Sequence, residues 1–388
     1  RPGPAAAALS PAFFGFFAYF GALSALEAAN TLHPLRLLCG ASAGALAASL
    51  VAAGASPADV LAALAKVDRE HFWDPPGFGG LLKGGLFRGL IRDCAPCERI
   101  EHCGVASEVP RVAAPGSPPK SPAAGGAAVA MARLPRKWRG ARLAVSVFDI
   151  FRARTRVLRH GELAKAAHAS CVFPGLFAPV WWTHLEIGTG GDDTIDVDLT
   201  TSWRGLLMDG GVRDPNGMAG LAGYAELAPG IAGGDEVVRV IHLDVSRDES
   251  ISGAELLARS PMKLPASLRG GAGSGSPAVE LVSVPLCGLP RPSPTAMSLG
   301  ASAGGSAAAL VAKALLAPLV RLGEVDGVAW FVADTGVPGL TDACEVARAA
   351  VAPVAPVAPA AGEARGKKRA RDSEDDNVVR FRGFVSSS

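Results

Sequence analysis

Charge is what this chain has least of. Only 19% of its 388 residues are charged, and the two signs nearly cancel to a formal net charge of +2. A balance so close to neutral gives no chain-wide basic field, so nucleic acid is not an expected partner. Cysteine is sparse too: seven residues, scattered and odd in number. That is no disulfide framework, and it points to a reducing compartment. The one tight group is Cys94, Cys97, His102 and Cys103. It lacks the distant second pair of ligands that a zinc site takes, so these read as free loop thiols and no metal is expected. The chain opens on Arg1 where a Met would stand, so its front says nothing of targeting and an organelle address stays open.

Apolar residues, by contrast, are plentiful at 49%, enough for a sizeable core. Residues 5–26 and 37–55 carry no charge and are long enough to span a bilayer. They are rich in Gly, Ala and Ser, and Pro11 interrupts the first. Buried strand, turn and packed helix fit them better. Residues 6–9 read as the end of a strand, Phe16 to Ala29 as a helix, Leu35 to Cys39 as a strand, and Ala43 to Ala53 as a helix of small residues. Ser56-Pro57-Ala58-Asp59 reads as a helix start capped by Ser56, running to about Arg69. Further strands are expected at Leu143–Phe148, Val237–Val245, Val279–Val284 and Val328–Val332. Strands alternating with helices at this spacing predict βαβ units and a mainly parallel sheet. Residues 104–137, rich in Pro, Gly and Ala, read as a surface insertion. Residues 265–276 read as a flexible linker, and 350–388 as a disordered tail whose basic cluster Lys367–Arg371 is a solvated charge run or a nuclear-import signal.

Gly40-Ala41-Ser42-Ala43-Gly44 fits Gly-x-Ser-x-Gly, and so does the identical run Gly300–Gly304 around Ser302. Context separates them. A nucleophilic serine belongs on a tight turn from strand to helix, with small residues on both sides so that the two can approach. The first copy follows an apolar run and opens an Ala-rich helix; the second follows Pro292-Ser293-Pro294-Thr295. Ser42 is therefore the candidate nucleophile, with the amide of Ala43 at a helix N-terminus as a donor to an oxyanion. A base must take its proton. Asp209, in Met208-Asp209-Gly210-Gly211, stands where the apolar Leu206-Leu207 gives way to a glycine turn, and a carboxylate in a dry pocket has a raised pKa suited to that role. His242 is the only histidine after Asp209. The order Ser42, Asp209, His242 would make an α/β-hydrolase triad, but its mid-strand position favours a structural histidine.

Four stretches together resemble the patatin-like phospholipase family: Phe13–Leu23 with Ala25-Leu26-Glu27, Gly40–Leu46, Ala167–Val180, and Met208–Val212. They span roughly residues 8–215. The resemblance implies a three-layer α/β/α fold with a mainly parallel central sheet. Its catalytic region would be residues 6–215, with the insertion at about 104–137. Residues 216–349 would complete the α/β domain, and 350–388 form the tail. It also implies a Ser-Asp dyad without histidine or cofactor, Ser42 and Asp209 taking the two roles through an acyl-enzyme, acting on phospholipids, galactolipids or neutral glycerolipids. The expected setting is cytoplasmic, at a membrane or lipid-droplet surface. The motif glycines would be Gly15, Gly40, Gly44, Gly210 and Gly211.

One departure stands out. The family's glycine-rich oxyanion loop reads Ser10-Pro11-Ala12-Phe13-Phe14-Gly15 here. Only the last glycine is kept, and Pro11 has no N–H to donate. The amides of Ala12 and Phe13 remain as donors, and a catalytically silent lipid-binding member is the alternative. For the interface, Arg133–Arg139 mixes basic residues with Trp138, Trp181-Trp182 is expected at the pocket mouth, and Phe13, Phe14, Phe16 and Phe17 along an acyl channel.

Overall fold

A computed structural model describes residues 5–28, 32–64, 67, 71, 73–104, 133–138, 140–184, 203–223, 238–245 and 279–286. The chain divides into units Arg1–Val351 and Ala352–Ser388, and every described element lies in the first. The strand expected at Val328–Val332, residue Ser302, the linker at 265–276 and the tail lie outside the described residues, as does most of the insertion.

The elements in chain order are β1 (Ala5–Leu9), α1 (Phe16–Ala28), β2 (Leu35–Ala41), α2 (Ala43–Ala52), α3 (Pro57–Leu64), β3 (Gly80–Leu82), α4 (Gly85–Cys94), β4 (Arg142–Asp149), β5 (Arg154–Leu158), α5 (Leu163–Ser170), β6 (Gly175–Phe177), β7 (Val180–His184), β8 (Trp203–Asp209), β9 (Val238–Asp244) and β10 (Val279–Pro285). Strands run in the order β10-β9-β1-β2-β4-β8-β7, with β5 also on β4. From β10 to β4 every pairing is parallel, while β5 and β8 pair antiparallel with β4 and β7 pairs antiparallel with β8. A separate parallel pair joins β3 to β6. The α/β class with a mainly parallel sheet is as expected.

Alternation along the strands sets the layers. Gly40 faces α2, where a Cβ would lie 2.6 Å from the Gly44 carbonyl carbon. The neighbouring Cys39 and Ala144 face the opposite way, where their Cβ atoms lie within 2.7 Å of a Cβ built on Gly220 in the turn Ala219–Gly223. All ten residues of α2 are buried, because it packs on β2 and has α1 and α5 beside it; a helix apolar all round needs such cover. Gly44 allows the approach, since a Cβ there would meet the Leu9 carbonyl oxygen at 2.4 Å.

Two expectations need correction. Helix α3 ends at Leu64 and Val67 is outside any helix, so it stops short of Arg69. The Ser56 hydroxyl goes to Glu27 Oε2 at 2.8 Å, joining α3 to α1 rather than acting within its own helix. Cys94, Cys97 and Cys103 are free thiols as expected, Cys97 and Cys103 in the loops after α4 and Cys94 its last residue; all three are buried and close the core beneath α4, with the Cys97 and Cys103 sulfurs 3.6 Å apart. Among the described residues no group of ligands could hold a metal ion, and no helix is long and apolar enough to cross a membrane.

Candidate active site

Strand register brings Ser42 and Asp209 together. Ala41 of β2 stands opposite Ser146 of β4, and Asp209 of β8 opposite Val147. Strand β5 pairs with both Ser146 and Val147. A strand residue has one partner per edge, so β2 and β8 share the other edge of β4. They run towards each other along it, and their carboxyl ends meet. The residues at that junction are Ser42, just past β2, and Asp209, last in β8. The Ser42 hydroxyl donates to Asp209 Oδ2 at 2.7 Å.

Ser42 itself has φ 53° and ψ −127°. This is a conformation that costs a non-glycine residue on the order of 1–3 kcal/mol, and it throws the hydroxyl out of the line of the strand. Two neighbours hold it there. Its N–H donates to Ser170 Oγ at 2.8 Å, and that hydroxyl donates onward to the Ser146 carbonyl at 2.6 Å. Its carbonyl accepts from Cys171 Sγ at 3.1 Å. The Asp209 N–H donates to the Val172 carbonyl at 3.0 Å. Ser170, Cys171 and Val172 thus brace both halves of the pair. Sequence reasoning quoted these residues without a role; a polar Ser-Cys pair ending an Ala-rich helix was the signal.

Asp209 is 5% exposed. Burial pushes its carboxyl up to about 6, against hydrogen bonds from Ser42 and the Gly211 N–H that hold it down. Gly210 lies against β4, where a Cβ would meet the Ser146 carbonyl oxygen at 2.1 Å. The pair opens on a cavity of about 400 Å³ whose lining includes Pro11, Ala12, Phe13 and Phe173. A narrow channel of about 40 Å³ continues from it between Phe16, Leu46, Phe87, Leu176 and Phe177. A strained serine hydrogen-bonded to a raised-pKa carboxylate, beside an apolar cavity, has the parts for nucleophilic attack on an ester.

The family model for patatin-like phospholipase matches residues 12–222, more than half of the chain. The chain belongs to the patatin-like phospholipase family. Membership carries lipid acyl hydrolase activity in the broad sense. No curated protein matches the chain in sequence. Among solved structures it is similar to VipD from Legionella pneumophila, at 14% identity and a TM-score of 0.40, over 90% of this chain and 75% of that one; so distant a likeness carries no argument.

Within this patatin-like site the altered loop is anchored rather than loose. Ser10 is fully buried, its hydroxyl 2.8 Å from the Tyr19 hydroxyl and donating to Asp244 Oδ1 at 3.0 Å. Where the family has glycine, this chain pins the loop to α1 and β9. Phe13 has φ 47° and opens the turn Phe13–Gly15, in which the Gly15 N–H donates to the Ala12 carbonyl at 2.6 Å. The amides of Ser42 and Gly211 are engaged, by Ser170 Oγ and Asp209 Oδ1. Phe13 and Phe16 line the channel as expected, while the side chains of Phe14 and Phe17 fall outside the described residues.

His242 is fully buried with ring nitrogens 2.9 Å from the Asn216 carbonyl and 3.1 Å from Ser283 Oγ. It is a structural residue tying β9 to β10. The tryptophans are not at the pocket mouth. Trp182 is buried, with the Lys165 ammonium 5.3 Å over its ring. Trp181 is exposed but lines a different cavity. The basic stretch is tied back to the fold: Arg133 pairs with Glu98 at 2.9 Å, Lys137 with Asp59 at 2.7 Å, and Arg136 Nε donates to the Trp138 carbonyl at 3.3 Å.

Proposed function

We propose that this chain hydrolyses the carboxylic ester of a lipid by a Ser42–Asp209 dyad, through an acyl-enzyme, at a membrane or lipid-droplet surface. The observation that carries the reading is the 2.7 Å hydrogen bond from a backbone-strained serine to a buried carboxylate at the mouth of an apolar channel. The acyl chain lies along Phe16, Phe87 and Phe177, with the ester carbonyl over Ser42. As Ser42 Oγ attacks the carbonyl carbon, its proton passes to Asp209 Oδ2. Charge developing on the carbonyl oxygen is met by the Ala43 amide at the α2 N-terminus and by those of Ala12 and Phe13. Asp209 then returns the proton to the departing alcohol. Water enters, gives a proton to the same carboxylate, and its oxygen attacks the acyl carbon; Ser42 leaves with that proton and the fatty acid is released.

A near-neutral carboxyl suits both directions of transfer. Proline at position 11 removes one donor, and one missing donor costs on the order of 100- to 1000-fold in rate, so a slow enzyme is expected. The test compares wild type, Ser42→Ala, Asp209→Asn and His242→Ala on a short-chain nitrophenyl ester and on a phospholipid. Loss in the first two variants with His242→Ala still active supports the dyad. Loss in all three would support a triad, and an inert wild type that still binds lipid would support the silent reading.

A further inference from the structure

Beyond the wall of the acyl channel lies a second, larger cavity of about 700 Å³. Phe87 and Phe177 line the channel and His168 lines the cavity, and the His168 ring stands edge-on to both phenylalanines, with centroids 5.8 and 6.1 Å away. His168 is only 4% exposed and lines the second cavity, yet neither of its ring nitrogens has a hydrogen-bond partner among the described residues. A buried imidazole with no partner is costly. Gly84 is what lets the chain lie over the ring, since a Cβ there would sit 2.2 Å from Nε2.

The same cavity is lined by Lys83, Arg88 and Lys165. Two carboxylates stand close. Asp74 is spent on the backbone N–H groups of Gly84, Gly85 and Leu86 at the start of α4, and Glu162 lies 4.0 Å from Arg88. The cations outweigh them. At Lys165 and at His168 burial comes first in lowering the pKa, and the push from Arg88 exceeds the opposing pull of Glu162 or Asp74. The outer lip is apolar and wet: Phe78 is 99% exposed, and Trp181 at 61% packs on the exposed Phe151 with ring centroids 5.6 Å apart.

We infer that this cavity seats the phosphate headgroup of an anionic phospholipid, with Phe78 and Trp181 dipping into the surrounding acyl layer. Lys83, Arg88 and Lys165 surround the phosphate charge. The inference rests on the reading of the chain as an enzyme of lipid surfaces, but it concerns a site apart from the dyad.

The test uses the full chain carrying Ser42→Ala, so that nothing is turned over. Co-sedimentation is measured with vesicles of phosphatidylcholine alone and of phosphatidylcholine and phosphatidylserine in equal parts. The parent is expected to prefer the mixed vesicles. Lys83→Gln/Arg88→Gln/Lys165→Gln should weaken that binding on the order of 100-fold. Phe78→Asp, at a side chain too exposed to threaten folding, should weaken it as well. Equal binding to both vesicles, or triple and Phe78 variants that bind as the parent does, would overturn the proposal. So would a melting-temperature rise with inorganic phosphate that the triple change removes while vesicle binding stays intact, because the site would then take a free anion. Ester hydrolysis by the wild type is measured separately: its absence sinks the catalytic reading and leaves the vesicle result standing.

Discussion

Asp209→Asn should do two opposite things: remove ester hydrolysis and stabilise the fold at neutral pH. Burial raises the Asp209 carboxyl from its ordinary 3.8 to about 6. For an acid so shifted, the folded state holds the proton better than the unfolded one. The neutral form therefore favours folding fully below about pH 4, and that advantage is lost as pH rises through about 6. Two pKa units at about 1.4 kcal/mol each give a handicap of about 3 kcal/mol above pH 7. Asparagine has no charge to desolvate, but its NH₂ replaces one oxygen that now accepts from Ser42 or Gly211, which costs about 1–2 kcal/mol. The variant should be more stable than wild type by about 1–2 kcal/mol at about pH 7.5, and less stable by a similar amount at about pH 4. Thermal melts of both proteins at the two pH values read the crossover, at roughly 2–4 °C per kcal/mol. If Asp209→Asn were destabilised equally at both, the carboxyl would not be perturbed and the case for it as a poised base would fall.

Other outcomes follow from the same geometry. The rate on a soluble ester should fall about tenfold per pH unit below about 6, as the base is protonated; a profile flat down to pH 5 would contradict the raised carboxyl. Ser42→Gly should lose all activity and gain about 1 kcal/mol in denaturant unfolding, because glycine takes φ 53° without strain. Ser170→Ala leaves the buried Ser42 N–H unpaired. It should cost about 1–3 kcal/mol of stability and lower kcat more than it changes KM, with Ser170→Thr recovering part of kcat. Gly44→Ala drives a Cβ to 2.4 Å from the Leu9 carbonyl oxygen, and its yield of soluble protein should drop sharply relative to the control Ala47→Gly in the same helix.

Much of the front half was legible because its signals are local. The run Leu35–Cys39, a Gly-x-Ser-x-Gly turn and an Ala-rich helix announce β2 and α2 with little competition. The glycines at 40 and 44 mark a close approach before any coordinates are seen. What escaped depends on distant partners. Helix α4 starts at Gly85, and the carboxylate that satisfies its first N–H groups is Asp74, eleven residues earlier, so no cap is visible at its door. Trp181 and Trp182 are adjacent, and strand alternation sends one to solvent and one inward; a sequence that gives β7 no strand reading cannot tell which. Sulfurs of Cys97 and Cys103 meet because of how the chain folds under α4, not because of their spacing. Likewise, Ser42 and Asp209 were each marked by an apolar run giving way to a glycine turn, but the head-on junction that joins them had no trace in either motif.

That junction leaves the two reacting side chains with no hinge between them. Asp209 sits on one rung of β4 and Ala41, the residue before Ser42, on the next, so the pair moves apart only if β4 is unzipped. Loops between positions 42 and 209, outside β4 and the Ser170–Val172 brace, are free to grow or shrink without moving the pair. A slip of β8 by a single rung, however, would turn the carboxylate to the far side of the sheet, away from Ser42, while leaving the fold almost untouched.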